Sequence, residues 1–171
     1  MPEIPLSERF YSGGASTNRA FPDNQAGPRD PLTGFPIGGG ALFFHSTELR
    51  FPLIGDNIGG VLFHDMGNVY TGINTLSLRF HQKDLQEPNP FDYMVHSIGF
   101  GIRVRTPVGP IRADFSFSPN PPRFFGFNGT LDDLLKVPPN QPLCSSKAAS
   151  PMCTNQRISW FQFHFSLGQT F

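Results

Sequence analysis

Apolar and polar residues alternate with period two in five separate stretches of the chain, the pattern of strands with one greasy and one polar face. In residues 39–51 the odd positions Ala41, Phe43, His45, Thr47, Leu49 and Phe51 are mostly apolar, and Ser46, Glu48 and Arg50 fall on the even ones. Residues 59–70 set Leu62, His64 and Met66 against Phe63, Asp65 and Gly67. Residues 94–106 place His96, Ile98, Phe100, Ile102 and Val104 opposite Ser97, Gly99, Gly101, Arg103 and Arg105. Residues 110–118 set Ile111, Ala113, Phe115 and Phe117 against Arg112, Asp114, Ser116 and Ser118. The last stretch, residues 158–171, carries Phe161, Phe163, Phe165, Leu167 and Phe171 on one face and Gln162, His164, Ser166, Gly168 and Thr170 on the other. The predicted fold is all-β and antiparallel.

Alternation alone also fits a soluble sandwich, so the make-up of each face decides. The polar faces are built of Gly, Ser, Arg, Asp and Glu with little bulk, and the apolar faces are rich in Phe, Ile and Val. Strands of about nine to eleven residues match a tilted bilayer crossing. An apolar outside, a polar inside and aromatics at strand ends describe a transmembrane β-barrel. The links agree: residues 52–58 and 106–109 are short, whereas residues 71–93 and 119–157 are long and rich in Pro and Asn. Residues 1–37 form a further long loop ahead of the strand region, residues 38–171. Short links on one side and long loops on the other fit the periplasmic and external ends of an outer-membrane barrel.

Composition sharpens this reading. Of 171 residues only 15% are charged, below the roughly 25% of an ordinary soluble domain, while 19 are Phe. Thirteen basic residues balance thirteen acidic ones, which argues against a partner held by phosphate neutralisation. With 18 Gly and 18 Pro, long helices are not expected. No apolar run reaches the roughly 18 residues of a membrane-crossing helix. The N-terminal stretch lacks the basic and apolar regions of a signal peptide, as expected of a cytosolic chain or of a piece of a longer exported precursor. Cys144 and Cys153 have no His or Cys companions at metal-site spacing, so a local disulfide or free thiols are the readings left open.

Nothing in the sequence points to catalysis. It has no Gly-x-Ser-x-Gly elbow, no phosphate loop and no His-Glu-x-x-His. His45, His64, His81, His96 and His164 are scattered, Gly38–Gly40 reads as a flexible entry to a strand, and the Asn128-Gly129-Thr130 sequon carries little meaning in a bacterial chain. No catalytic residue, metal or cofactor is expected.

Five local matches, in order along the chain, resemble the C-terminal barrel region of the bacterial surface-antigen superfamily of outer-membrane assembly factors, the BamA/TamA-like proteins. "ERFYSGGASTNRAFPDNQAGPRD" is similar to that family's lid loop, with Arg19-Ala20-Phe21 in place of its Arg-Gly-aromatic motif. "GGGALFFHSTELRFPL" resembles the following strand, with Glu48 at its acidic position. "GVLFHDMGNVY" resembles the strand carrying Asp65, and "SIGFGIRVRTPVGPIRADFSF" the next strand–turn–strand. "FQFHFSLGQTF" is similar to the barrel-end signal, here Phe163, Phe165, Leu167, Gly168 and Phe171. Ala20 departs from the family's usual Gly.

The resemblance implies a bacterial outer-membrane location and a sixteen-stranded barrel of which these would be the last five strands, with the other strands and the periplasmic POTRA repeats outside this chain. It implies membrane lipid and client β-barrel proteins as partners. A polypeptide-secreting transporter of the same superfamily, or a passive structural or channel barrel, are the alternatives. In the implied role, Arg19 and Phe21 latch the lid loop inside the barrel, with Glu48 and Asp65 receiving the guanidinium. Five strands leave two open edges that lipid does not tolerate, so a fragment, a truncated frame or one member of a multi-chain barrel is expected.

Overall fold

The structure, a computed structural model, describes residues 4–30, 33–55, 57–107, 109–136 and 153–168. Its main sheet contains β1 (Ala41–Ile54), β2 (Ile58–Tyr70), β3 (Val95–Thr106), β4 (Gly109–Phe117) and β7 (Phe161–Leu167), joined antiparallel in the order β1-β2-β3-β4-β7. The antiparallel all-β expectation is met. Among the described residues no helix is long and apolar enough to cross a membrane, which says nothing about crossing by strands.

Register puts each alternating stretch in phase with its neighbours. Leu49 pairs with Leu62, Leu62 with Phe100, Phe100 with Phe115 and Phe115 with Phe163, so one row of large apolar side chains crosses all five strands on the outward face. These side chains are exposed in the chain as it stands. Their rings still touch along the row, Phe100 to Phe115 at 5.4 Å and Phe115 to Phe163 at 4.7 Å. On the opposite face the rows are polar: Ser46 pairs with Asp65 and Asp65 with Ser97, while Gly101 pairs with Asp114 and Asp114 with His164. A one-residue slip would exchange the two faces, so the apolar row pins the polar one.

Glycine makes room on the inner face. A Cβ at Gly99 would overlap the Phe115 carbonyl oxygen and press on Phe63 Cζ at 2.5 Å, and one at Gly101 would overlap the Asp114 carboxylate. Gly99→Val is therefore expected to displace the Phe63 ring and part the β3–β4 ladder. In the full-length protein this should read as loss of the compact, heat-sensitive band on a denaturing gel.

The link of residues 119–157, read from sequence as a loop, holds structure of its own. β5 (Arg123–Phe127) and β6 (Cys153–Arg157) pair as a second, two-stranded sheet, and a short helix, α1 (Leu131–Leu135), follows β5. The final strand starts at Phe161: the Trp160 carbonyl accepts from the Ser118 amide and the Ile158 amide donates to the Pro122 carbonyl, closing the base of the β5–β6 excursion. Long connections therefore gather at one end of the sheet, and the two tight turns, β1–β2 and β3–β4, at the other.

The buried core is not within the sheet but on its inner face, under the N-terminal loop. Ala20, Phe21 and Ala26 from that loop pack with Val69, Tyr93, Val95, Phe124 and Ile158. Burying these groups removes the loop's apolar side from water and holds it across the ends of β2 and β3.

Candidate functional site: an arginine-centred latch on the inner face

The loop of residues 4–40 enters against the sheet with Phe10 bridged to Gly39, then turns inward so that residues 18–21 lie on the polar face. Asn18 anchors the turn. Its amide donates to the Gly67 carbonyl at 2.9 Å and the Val95 carbonyl at 3.0 Å, while its oxygen accepts from the Ala20 amide at 3.0 Å. Ala20 is fully buried and is not among the residues with positive φ, so its methyl group sits in the core without backbone strain. Asn18→Ala would strand two inward carbonyls at a cost of about 1–3 kcal/mol. Faster amide exchange across residues 18–21 of the full-length protein is the expected sign.

Arg19 is 2% exposed and Asp65 0%. The guanidinium meets Asp65 as a two-pronged pair, Nε to Oδ2 and Nη2 to Oδ1, both at 2.7 Å, and the Arg19 amide adds a third bond to Oδ2 at 3.2 Å. Nη1 reaches Glu48 Oε1 at 3.0 Å and Asp114 Oδ2 at 3.4 Å. Ser46 donates to Asp65 Oδ1 at 2.6 Å, and the Phe63 ring lies under the guanidinium carbon at 3.4 Å. The main-chain carbonyl of Arg19 accepts from Ser116 Oγ at 2.5 Å and lies 3.1 Å from His164 Nε2. One loop residue thus contacts side chains of β1, β2, β4 and β7.

Three further arginines surround this centre, so four guanidinium groups share the three carboxylates of Glu48, Asp65 and Asp114. Arg103 and Arg112 both bond Asp114, and Arg50 bonds Glu48 at 2.7 Å. Burial works against a charged Arg19, but the Asp65 hydrogen bond and the charges of Asp65, Asp114 and Glu48 outweigh it and hold its pKa above the ordinary arginine value. A guanidinium with two-pronged carboxylate bonding and an aromatic platform is a rigid fastening, not a proton donor or acceptor. Among the described residues no group of three or more potential metal ligands occurs.

The loop has a second fastening. The Arg29 guanidinium donates to the Gly34 and Gln25 carbonyls, both at 2.9 Å, and lies 3.9 Å over the Phe124 ring of β5. Burial lowers its pKa to about 10, with the nearby Tyr93 acting in the other direction. The β5–β6 hairpin is thereby a wall for the loop.

Of the residues singled out from sequence, Arg19, Glu48 and Asp65 meet within bonding distance, and Phe21 lies in the core beside them. Phe163, Phe165 and Leu167 are elsewhere, on the outward face of β7, and Gly168, with φ +75°, ends that strand by donating to the Pro110 carbonyl. Phe171 and Cys144 lie outside the described residues; Cys153 opens β6. Sequence reasoning does not single out Asn18, Phe63, Asp114, Ser116 or His164. Parity marks all but Asn18 as sharing faces with other inner residues, but only register shows that they meet Arg19.

Residues 2–171 match the Omp85 superfamily domain. The chain is 32% identical over 116 residues to "Outer membrane protein assembly factor BamA" of Nitratidesulfovibrio vulgaris (strain Hildenborough), a stretch that makes up 67% of this chain and 13% of that protein. The chain thus spans a small part of that relative's length. The family match runs over nearly the whole chain, and the sheet has the outward apolar and inward polar faces of a barrel wall. The chain belongs to the Omp85 superfamily of bacterial outer-membrane β-barrel proteins.

Proposed function

We propose that this chain forms the C-terminal part of a barrel, sixteen-stranded when complete, that inserts or assembles other outer-membrane proteins without catalysis. Its N-terminal loop is the lid, latched to the lumenal wall through Arg19. The observation that carries this is the convergence of β1, β2, β4 and β7 side chains on that one loop residue. A latch spread over several strands sets the curvature of the wall and couples the loop to the last strand. The relative named as an assembly factor supports the same reading. Phe163, Phe165 and Leu167, followed by Gly168 and Phe171, would serve as the strand-end signal by which the barrel is itself inserted. The open edge of β7 would pair transiently with a client strand by β-augmentation. In this arrangement the long connections face outward from the cell, where Cys144 and Cys153 would form a local disulfide. The thiols of the native protein should then accept a maleimide only after reduction.

The test is reconstitution of the full-length protein, with its periplasmic repeats, into vesicles. Faster folding of a denatured β-barrel client than in empty vesicles is the expected result. Passage of a soluble polypeptide into the vesicle without client folding would instead make it a secretion transporter. Ion conductance with neither activity would make it a passive channel.

A further inference from the structure

A cleft of about 830 Å³ lies between the β5–β6 hairpin and the loop that precedes β3, on the outward side of the sheet's loop end. Its walls are held together. Gln82 exchanges two hydrogen bonds with the main chain of Arg123, at 2.7 and 2.8 Å, and Asn120 donates to the Phe80 and Met94 carbonyls at 2.6 and 2.7 Å.

Arg123 and Arg157 line this cleft and sit directly opposite each other in the β5–β6 register. Directly opposed like charges destabilise a strand pair, unless an anion lies between them. Among the described residues neither arginine has a carboxylate within ion-pair distance, although acids are near: Asp84 and Glu87 share the cleft's loop wall, where Glu87 faces Lys83 at 4.0 Å. The loop wall therefore balances much of its own charge, and the arginine wall does not.

The level of the cleft identifies the anion. The Arg157 guanidinium lies 4.6 Å over the Trp160 ring, Trp160 stacks on Phe117 at 6.0 Å, and Phe117 touches Phe161 at 5.2 Å on the outward apolar face. Aromatics at the end of a lipid-facing row mark the bilayer interface, and cations just beyond them stand at headgroup height. Guanidinium groups bond phosphate oxygens two-pronged, as ammonium groups do not.

We propose that Arg123, Arg157 and Trp160 form a binding site for the phosphate-bearing headgroup of an outer-leaflet glycolipid. The site rests on the barrel orientation proposed above. Glycolipid held there would brace the β5–β6 hairpin, and with it the wall against which Arg29 fastens the lid loop.

The test uses the full-length protein in nanodiscs, titrated with diphosphorylated lipid A, with lipid A stripped of phosphate, and with inorganic phosphate. Diphosphorylated lipid A should bind at least about ten-fold more tightly than the stripped form, and the double variant Arg123→Ala/Arg157→Ala should lose about that factor. Arg123→Lys/Arg157→Lys should recover only part of it. Equal binding by the parent and the double alanine variant, or binding indifferent to the phosphates, would overturn the site. Inorganic phosphate competing as well as the lipid would overturn the lipid assignment. The heat-shifted gel band reports separately on the barrel: a protein that never shows it undermines the orientation itself, whereas a folded barrel that ignores lipid A undermines only the site.

Discussion

Arg19→Ala in the full-length protein is expected to release the lid loop and open residues 11–36 to added protease while the barrel stays folded. The parent loop should resist cleavage under the same conditions. Removing the guanidinium leaves Asp65 buried without its two-pronged partner and takes one of three arginines from Asp114 and one of three from Glu48. Breaking one partner of a buried pair costs about 3–5 kcal/mol, most of it from the charge left behind. Arg19→Lys should rescue little. An ammonium is a point charge that cannot satisfy both Asp65 oxygens in plane and cannot lie flat on Phe63. Unchanged loop protection in Arg19→Ala would mean that the charges are incidental to how the loop is held.

Phe21→Ala is the second large effect expected, and it comes by a different route. The ring is fully buried among Val69, Tyr93, Val95 and Phe124, so truncation leaves a cavity and costs about 3–5 kcal/mol. Phe21→Leu should cost much less, because it restores most of the volume. The two variants separate the apolar anchor from the polar latch. Phe21→Ala should loosen the loop on both sides, residues 18–30 exchanging amide protons faster as a unit. Arg19→Ala should loosen chiefly the segment nearest Asp65, with Arg29 still seated on Phe124. Loss of loop protection in Phe21→Leu as large as in Phe21→Ala would show that ring shape, not filled volume, is what the core requires.

How far the sequence goes depends on the range of the interaction involved. Alternation is local, so the two faces of β3 and β4 can be read directly from His96 to Val104 and from Ile111 to Phe117. Pairing register is not local: Arg19 reaches Asp114 across 95 positions, and no pattern near either residue announces the other. Phe63 illustrates the limit. Its parity sets it beside Asp65, an aromatic in a polar row, and only the position of the loop explains it as the platform under the guanidinium. The β5–β6 hairpin is hidden for a different reason. Its strands are five residues each and widely separated, one mostly Phe around a glycine and one a mixed polar run from Cys153 to Arg157. Neither alternates cleanly, and no turn signal joins them. The ion-paired residues are a third case, since Arg19 on the loop, Glu48 on β1 and Asp65 on β2 are singled out by family resemblance and not by any periodicity.

In the proposed function, client insertion depends on the contact between Arg19 and Asp65 as a latch. A double-mutant cycle on the client-folding rate of the full-length protein in vesicles measures that contact directly, with parent, Arg19→Ala, Asp65→Ala and the double variant compared under one condition. A latch of this kind predicts that each single variant slows client folding by a similar factor and that the double variant is little slower than either single one. Strictly multiplicative losses, or single variants that fold clients as fast as the parent, would contradict it.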